Sequence, residues 1–298
     1  MKTGPQTEIP DYSYYDMVIR YHELNYRYLQ LIYPELRGNG QNYIKDDKGR
    51  FAGSRPGGGS GGGAAQNTDA DFVGSVSIIR ELKNIENALE IYRKSAIIDT
   101  GEHEMYPDSI AGVKRGEPMS FEQADSGRAN PNYSSYFKDE FYRNCQSSVI
   151  AHEARIRGYD VQAKGFDKNN ILMSNLAHFP TKAWIDPKTG KEPKIIKYNG
   201  SSDKCGSWLD GIVGQGERYS FEYKHENGRH IITASRDSNG ILRLYDPQRN
   251  IKYLGVESIN SAFGKKDENS NFKMHHIEIM RVDNLDFNLS YANAVLKK

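Results

Sequence analysis

Cys145 is the residue of this sequence with the clearest chemical potential. It lies where an extended segment is predicted to turn into a helix over residues 145–157. A helix N-terminus carries a partial positive charge and unpaired N–H groups, and both stabilise a thiolate over a thiol. The sequence therefore predicts a cysteine nucleophile at the start of a helix. The alternative interpretation is a small, buried apolar side chain.

Two residues further along the chain could assist such a thiol. His230 enters an apolar, strand-like run, and Asp246 leaves the next predicted strand. A turn over residues 237–240 would join the two strands as a hairpin, which lets the carboxylate reach the imidazole. A cysteine, a histidine base and an orienting carboxylate together attack amide carbonyls through a thioester. Gln248 is an alternative orienting group, and plain Asp-Pro turn chemistry is the alternative for Asp246.

An oxyanion that forms on the attacked carbonyl needs N–H donors. The backbone N–H of Cys145 is one donor by its position, and the adjacent Asn144 side chain is the predicted second donor. Asn130 and Asn132 are alternatives to Asn144, with a simple Asn-Pro-Asn turn as the competing interpretation. The further candidates for oxyanion or substrate binding are Gln146 and Gln248.

The cysteine and histidine content argues against other kinds of site. The two cysteines, Cys145 and Cys205, are too few for a disulfide framework; they could pair with each other, but we expect a reducing compartment and at least one free thiol. Cys205 lies in a predicted loop over residues 203–206, without a base nearby in the sequence. These cysteines and the eight scattered histidines show no metal-ligand spacing. We therefore expect neither a metal nor a cofactor.

The composition is that of a polar, soluble chain. It has 298 residues, 37% of them hydrophobic and 27% charged, with a mean hydropathy of -0.76. This length predicts one or two domains with a real core. The formal net charge of +1 gives no electrostatic reason to bind nucleic acid or an anionic membrane. No apolar run approaches a membrane span and the start resembles no signal peptide, so we expect neither feature.

Four segments are predicted along the chain. Residues 14–33 have the spacing of a helix with a tyrosine-rich apolar face, packed either on a partner or on its own domain. A stretch rich in glycine and serine predicts a flexible linker, and no Gly-Lys-Ser/Thr follows it to form a phosphate loop. The predicted domains are residues 1–37 (helix), 38–68 (linker), 69–114 (a helix over 70–95 and a connecting segment) and 115–298 (catalytic domain).

The elements that must position the candidate residues are a helix and several strands. The helix over residues 145–157 ends at Gly158, a typical C-cap. Further helix signals surround residues 136–141. Strands are predicted at residues 159–163, 218–223, 230–234, 242–245 and 274–281. One helix followed by a curved antiparallel sheet is an α+β layout, that of a papain-like core.

Several short motifs in this region resemble one known family. They are Asn130-Pro131-Asn132-Tyr133, Asn144-Cys145-Gln146, Glu153-Ala154-Arg155-Ile156-Arg157-Gly158-Tyr159-Asp160-Val161, Gly228-Arg229-His230 and Tyr245-Asp246-Pro247-Gln248. In this order, over roughly residues 115–285, they are similar to the papain-fold toxin domain, the glutamine deamidase-like Tox-PL group. The resemblance implies Cys145 as nucleophile, His230 as base and Asp246 as orienting carboxylate. Ser148 and Arg229 depart from the family pattern, which often has cysteine and glycine there.

The resemblance also implies a biological setting. Such domains occur at the C-termini of bacterial polymorphic toxins and fused to phage minor head proteins, and residues 47–56 are similar to tails of phage structural proteins. It implies deamidation of a glutamine side chain in a protein substrate, in a bacterial cytoplasm or in a virion. A phage head or portal protein would be a partner of the N-terminal helix. Proteolysis, transglutamination and a non-catalytic head or injection component remain alternatives, because the triad chemistry is shared.

Overall fold

The computed structural model describes residues 14–32, 44–45, 51–52, 69–137, 139–225, 228–264 and 275–298. The described residues fall into two compact units, one within residues 10–90 and the other within residues 91–298. The candidate residues all belong to the second unit. The predicted boundaries at residues 37, 68 and 114 stay predictions. Most of the predicted linker lies outside the described residues.

The helices and strands follow one another along the whole chain. The helices are α1 (Tyr14–Ile32), α2 (Asp69–Ile98), α3 (Phe121–Ala124), α4 (Cys145–Ile156), α5 (Ile171–His178), α6 (Cys205–Asp210), α7 (Val256–Gly264) and α8 (Leu289–Val295). The strands are β1 (Ile44–Lys45), β2 (Phe51–Ala52), β3 (His103–Glu104), β4 (Ser109–Ile110), β5 (Val113–Lys114), β6 (Gln162–Ala163), β7 (Trp184–Ile185), β8 (Ile196–Tyr198), β9 (Arg218–His225), β10 (Gly228–Arg236), β11 (Leu242–Asp246), β12 (Ile251–Leu254), β13 (His275–Arg281), β14 (Asp286–Asn288) and β15 (Leu296–Lys297).

The first unit contains α1 and the N-terminal part of α2. Arg20 Nε donates to Glu81 Oε1 at 3.0 Å, and the Tyr21 hydroxyl donates to Glu86 Oε1 at 2.7 Å. Leu24 on α1 and Ile85 on α2 are buried. The polar pairs show that α1 packs against α2 of its own chain, which is one of the two alternatives that the helical periodicity leaves open.

The second unit is organised around a six-stranded sheet in the order β12-β11-β10-β9-β13-β8. Every neighbouring pair in it is antiparallel. The turn between β10 and β11 forms as predicted: Asp237 Oδ1 accepts the N–H groups of Asn239 and Ile241 at 2.9 and 2.8 Å. Gly240 in this turn has φ 78°, a conformation that costs glycine nothing. This hairpin register places the end of β11 beside β10.

Helices cover both faces of this sheet. On one face, apolar side chains of α6 and α7 pack on alternate residues of the strands, such as Phe221, Ile232 and Leu244. Strand side chains alternate between faces, so these residues share one side of the sheet. On the other face lies α4, which packs against β10. Ile150, Ala151 and Ala154 of α4 belong to a second apolar cluster that includes α5, α8 and β14. The chain is therefore an α+β protein, as the sequence predicts.

Three predicted elements differ from the structure in extent or type. The strand predicted over residues 159–163 is limited to β6, and the helix signal near residues 136–141 corresponds to a 3₁₀ turn at Glu140–Tyr142. The segment around Cys205, predicted as a loop, begins α6 instead. Its start is stabilised by Asn260 Oδ1, which accepts the Gly206 N–H at 2.7 Å from 54 residues away. Local sequence patterns carry no information about such a distant partner. No helix among the described residues is long and apolar enough to cross a membrane.

Candidate active site

The thiol of Cys145 lies at the first residue of α4, as the sequence predicts. Asn144 is the N-cap residue, but its side chain makes no capping hydrogen bond to the helix. The first turn of a helix leaves its N–H groups without intrahelical partners. The Cys145 N–H therefore points out of the N-terminal end of α4. The Cys145 side chain is half-buried, and therefore a substrate can reach it.

His230 lies on β10 and is buried, with 4% of its surface exposed. Its Nε2 lies 2.7 Å from Asp246 Oδ2, which leaves Nδ1 for a hydrogen bond with the Cys145 side chain. Burial lowers the pKa of His230, but the hydrogen bonds and charges of Asp246 and Cys145 outweigh it and raise the pKa from 6.5 to about 9. The Tyr223 ring packs edge-on against the imidazole, with 5.7 Å between centroids. The imidazole is thus held between a thiol and a carboxylate.

Asp246 ends β11, and the turn that follows fixes its carboxylate. Oδ1 accepts the backbone N–H groups of Gln248 and Arg249 at 3.0 and 3.1 Å. An aspartate side chain that binds N–H groups two and three residues later is ordinary turn chemistry. The Asp-Pro turn and the His230 contact are therefore not alternatives, because one oxygen serves the turn and the other the imidazole. Arg249 Nε lies 3.7 Å from Oδ2.

Three buried amide side chains join the start of α4 to this turn. We call Asn130, Asn144 and Gln248 the amide network; each is at most 3% exposed. Asn130 and Asn144 bond to each other through both amide groups, at 3.1 and 3.0 Å. Gln248 Nε2 donates to Asn144 Oδ1 at 3.1 Å, and Asn130 Nδ2 also lies 3.2 Å from the Gln248 carbonyl. The network ties the residue before Cys145 to the loop that holds Asp246.

The amide network uses all of its own N–H groups. The second Nδ2 hydrogen of Asn144 goes to the Lys164 carbonyl at 3.0 Å, and the second Nε2 hydrogen of Gln248 goes to the Phe141 carbonyl at 3.3 Å. An oxyanion would therefore have to displace one of these bonds to use Asn144 or Gln248. The Gln146 side chain is half-buried and makes no hydrogen bond with another described residue. Of the side-chain candidates, Gln146 and the exposed Asn132 have amide N–H groups without a described acceptor, and Gln146 is the one adjacent to Cys145 in the chain.

Ser148 and Arg229, the two residues that depart from the family pattern, both make polar contacts in this structure. Ser148 is fully buried, and its hydroxyl donates to the Asn144 carbonyl at 3.0 Å. Arg229 forms an ion pair with Glu222 on the neighbouring strand. Neither residue contacts a triad side chain through a described hydrogen bond.

Cys205 and His152 are packed among apolar or aromatic side chains. Cys205 also begins a helix, but it is fully buried among apolar side chains, and burial raises the pKa of its thiol from 9.0 to about 12. His152 on α4 packs between Phe121 and Tyr245, and burial lowers its pKa from 6.5 to about 4. Both residues are structural.

Sequence reasoning missed Arg249, which contacts Asp246, and gave no role to Tyr133, although Tyr133 belongs to one of the motifs that carry the resemblance. The Tyr133 ring stacks on Tyr142, and its hydroxyl is hydrogen-bonded to Arg249. The position of Arg249 directly after Asp246-Pro247-Gln248 is a signal that could have found it. Both residues line a cavity of about 360 Å³. Within the described part of the chain, no group of three or more His, Cys, Asp and Glu residues is arranged to hold a metal ion.

Comparisons with known proteins add little to this description. No protein-family model matches the chain, and no curated protein matches it. Among solved structures, the crystal structure of the Pseudomonas avirulence protein AvrPphB is similar over 48% of this chain and 69% of that chain, with 14% identity and a TM-score of 0.26. A TM-score of this size supports no argument about fold or activity. The fold and site define an α+β protein with a buried histidine–aspartate pair next to a half-buried cysteine.

Proposed function

We propose that the protein is a papain-like, cysteine-dependent amide hydrolase. The observation that supports this most is the buried His230–Asp246 pair, 2.7 Å apart, whose imidazole also bonds to the Cys145 side chain. A nucleophile hydrogen-bonded to a base that a third group orients is the general requirement for this chemistry. The fold does not evidently need three such linked side chains at a helix start for its stability.

In the proposed reaction, Cys145 attacks the carbonyl carbon of an amide. The Cys145 proton goes to His230, the new C–S bond forms, and the carbonyl oxygen takes the negative charge. The backbone N–H of Cys145 stabilises that oxyanion, and we assign the second donor to the Gln146 side chain rather than to Asn144. His230 then protonates the leaving amine as the C–N bond breaks. Its raised pKa favours the imidazolium that this step requires.

The second half of the reaction releases the acyl group. Water attacks the thioester, His230 accepts a water proton, and the C–S bond breaks to return the thiol and a carboxylic acid. If the amide is a glutamine side chain, the products are ammonia and a glutamate residue. We propose this deamidation, because the Asn144-Cys145-Gln146 and Asp246-Pro247-Gln248 motifs resemble those of deamidase-like toxins. Proteolysis of a backbone amide is the alternative.

Mass spectrometry of a treated bacterial lysate tests this proposal. Wild-type protein should convert glutamine to glutamate at specific sites, a gain of about one dalton each, without new chain termini, and Cys145→Ala should not. New termini that depend on Cys145 would replace deamidation by proteolysis. Products in which lysine is joined to glutamine would indicate transglutamination. The absence of any change that depends on Cys145 would favour the non-catalytic alternative.

We further propose, from the resemblance alone, that the protein works in a bacterial cytoplasm or in a virion. A phage head or portal protein would then be the partner of α1. Co-purification of α1-deleted and full-length protein with assembled heads tests this partner.

A further inference from the structure

The cavity of about 360 Å³ is lined by residues that contact Asn144, which precedes Cys145, and by residues that contact Asp246. It includes Asn130, whose amide bonds to Asn144 at the start of α4. It also includes Gln248 and Arg249, the residues whose N–H groups hold the Asp246 carboxylate. At about 360 Å³ it lies within the usual range of ligand sites, roughly 300–1,000 Å³. The cavity thus borders the residues that hold Asn144 and Asp246, while Cys145, His230 and Asp246 are not among its described lining residues.

The described lining of the cavity is cationic. Arg128 and Arg249 are both part of it, and none of the described residues that line it is an aspartate or a glutamate. Arg128 is exposed and makes no ion pair or hydrogen bond with another described residue through its side chain. The cavity therefore carries positive charge that the protein itself neutralises only in part, through the contact between Arg249 and Asp246.

Like the positive charge, the hydrogen-bond donors of the cavity favour an anionic ligand. A guanidinium carries five N–H donors. The described partners of Arg249 are the Tyr133 hydroxyl and Asp246, whose Oδ2 lies 3.7 Å from Nε, so donors remain. Asn250 also lines the cavity; its Oδ1 accepts the Tyr245 hydroxyl at 3.2 Å, and its Nδ2 has no described partner. Donors without acceptors of their own suit an acceptor-only ligand.

We propose that this cavity binds the carboxylate of an aspartate or glutamate residue that flanks the reacting amide in the protein substrate. Arg128 and Arg249 are its ligands, since a guanidinium fork matches a carboxylate in geometry and charge. The inference rests on the proposed function, because it assigns the substrate of the same site. Arg249 then contacts both the triad carboxylate and the substrate. Binding of the substrate carboxylate therefore acts on the turn that holds Asp246.

Peptide binding to the Cys145→Ala variant tests the proposal without turnover. The probes are fluorescent five-residue peptides with a central glutamine. One set has aspartate at each of the four flanking positions in turn, and a matched set has asparagine there. At one position or more, aspartate should bind about tenfold more tightly than asparagine, a difference of about 1.4 kcal/mol. This preference should weaken as salt is raised.

Variants that remove one positive charge test which residues cause the preference for aspartate peptides. Arg128→Gln and Arg249→Gln, each in the Cys145→Ala background, should lose most of the preference for aspartate and leave asparagine peptides unaffected. Lys168→Gln is the matched control, because Lys168 is exposed and lies outside the cavity lining. Arg249→Lys keeps the positive charge but lacks the paired N–H donors of the guanidinium. It should therefore retain part of the preference for aspartate that Arg249→Gln loses.

The outcomes are separate from those of the lysate experiment. Equal affinity for both peptide sets at all four positions, or no binding up to millimolar peptide, overturns the cavity proposal. A preference that survives Arg128→Gln and Arg249→Gln together also overturns it. If instead the preference is present but the lysate shows no change that depends on Cys145, the binding proposal stands and the proposed function fails.

Discussion

The two cysteines share a position at a helix start and differ in their surroundings. Both Cys145 and Cys205 are the first residues of helices, α4 and α6. Cys145 is half-buried and bonds to His230, whereas Cys205 is fully buried in an apolar cluster. A thiolate reacts and a thiol does not, so burial without a base makes Cys205 inert.

We therefore expect a limiting amount of iodoacetamide near pH 7 to label Cys145 first. The raised pKa of Cys205, about 12, keeps that thiol protonated at this pH. Peptide mapping by mass spectrometry gives the order of labelling. Cys145→Ala protein is the control and should take up almost no label while folded. Earlier labelling of Cys205 would contradict the nucleophile assignment.

The state of His230 should depend on Asp246. In Asp246→Asn the hydrogen bond and negative charge that raise the His230 pKa above 6.5 are lost, and burial, which lowers the pKa, gains weight. NMR titration of the imidazole should give a pKa near 9 in the wild type and a value lower by more than one unit in Asp246→Asn. The rate of Cys145 alkylation near pH 7 should fall with it. An unchanged His230 pKa would show that Asp246 is not its partner.

At the scale of elements, the amide network connects three separate segments of the site. It joins the loop before α4, the helix start and the turn after β11 through hydrogen bonds between buried amides. Buried polar groups that are all satisfied fix one arrangement, and removing one partner leaves the others unpaired. The network is therefore a positioning device for Cys145 relative to Asp246.

Asn130→Ala should accordingly destabilise the fold and slow Cys145 alkylation. The loss leaves one Asn144 Nδ2 hydrogen and the Gln248 carbonyl without a described partner, which costs about 1–3 kcal/mol in the free energy of unfolding. Asn144 Oδ1 and the Phe141 carbonyl still accept N–H groups from Gln248 Nε2. Urea unfolding measures this change. Asn132→Ala is the matched control, because Asn132 is exposed in the same loop and should change stability by less than about 0.5 kcal/mol. Equal effects of the two variants would remove the positioning role.

At the scale of the whole molecule, buried titratable groups set a pH window for stability. Burial lowers the pKa of His152 to about 4, so the unfolded chain gains a proton first as pH falls from 6.5 to 4, and stability is lost across that range. Burial raises the pKa of Glu153, but Arg157 and Arg218 outweigh it and lower the pKa to about 2; this contribution is present above 4.5 and lost toward 2. His230 acts oppositely: its contribution is complete below 6.5 and lost as pH rises through 9.

We thus expect the free energy of unfolding to be greatest near pH 6.5 and to fall on both sides. Urea unfolding at closely spaced pH values measures it. His152→Phe, which replaces one ring by another between Phe121 and Tyr245, should reduce the loss between pH 6.5 and 4. The remaining loss in that range comes from His178, whose pKa burial also lowers from 6.5 to about 4, and the loss below 4.5 comes from Glu153. A profile of His152→Phe that parallels the wild type from pH 6.5 to 4.5 would contradict this account.

The sequence by itself determined the reactive residue types, their order and most of the elements that carry them. Helix signals that end at the C-cap Gly158 predicted α4, and apolar runs with a turn between them predicted β10 and β11, because capping and turn chemistry act over a few neighbouring residues. The hairpin also brought Asp246 to His230, but only the tertiary structure decided which polar groups remote in the chain meet. Asn130 bonds to the Gln248 carbonyl 118 residues away, and Cys205 is buried by helices and strands remote in the chain. Burial and hydrogen-bond satisfaction depend on such distant neighbours, and no local pattern encodes them.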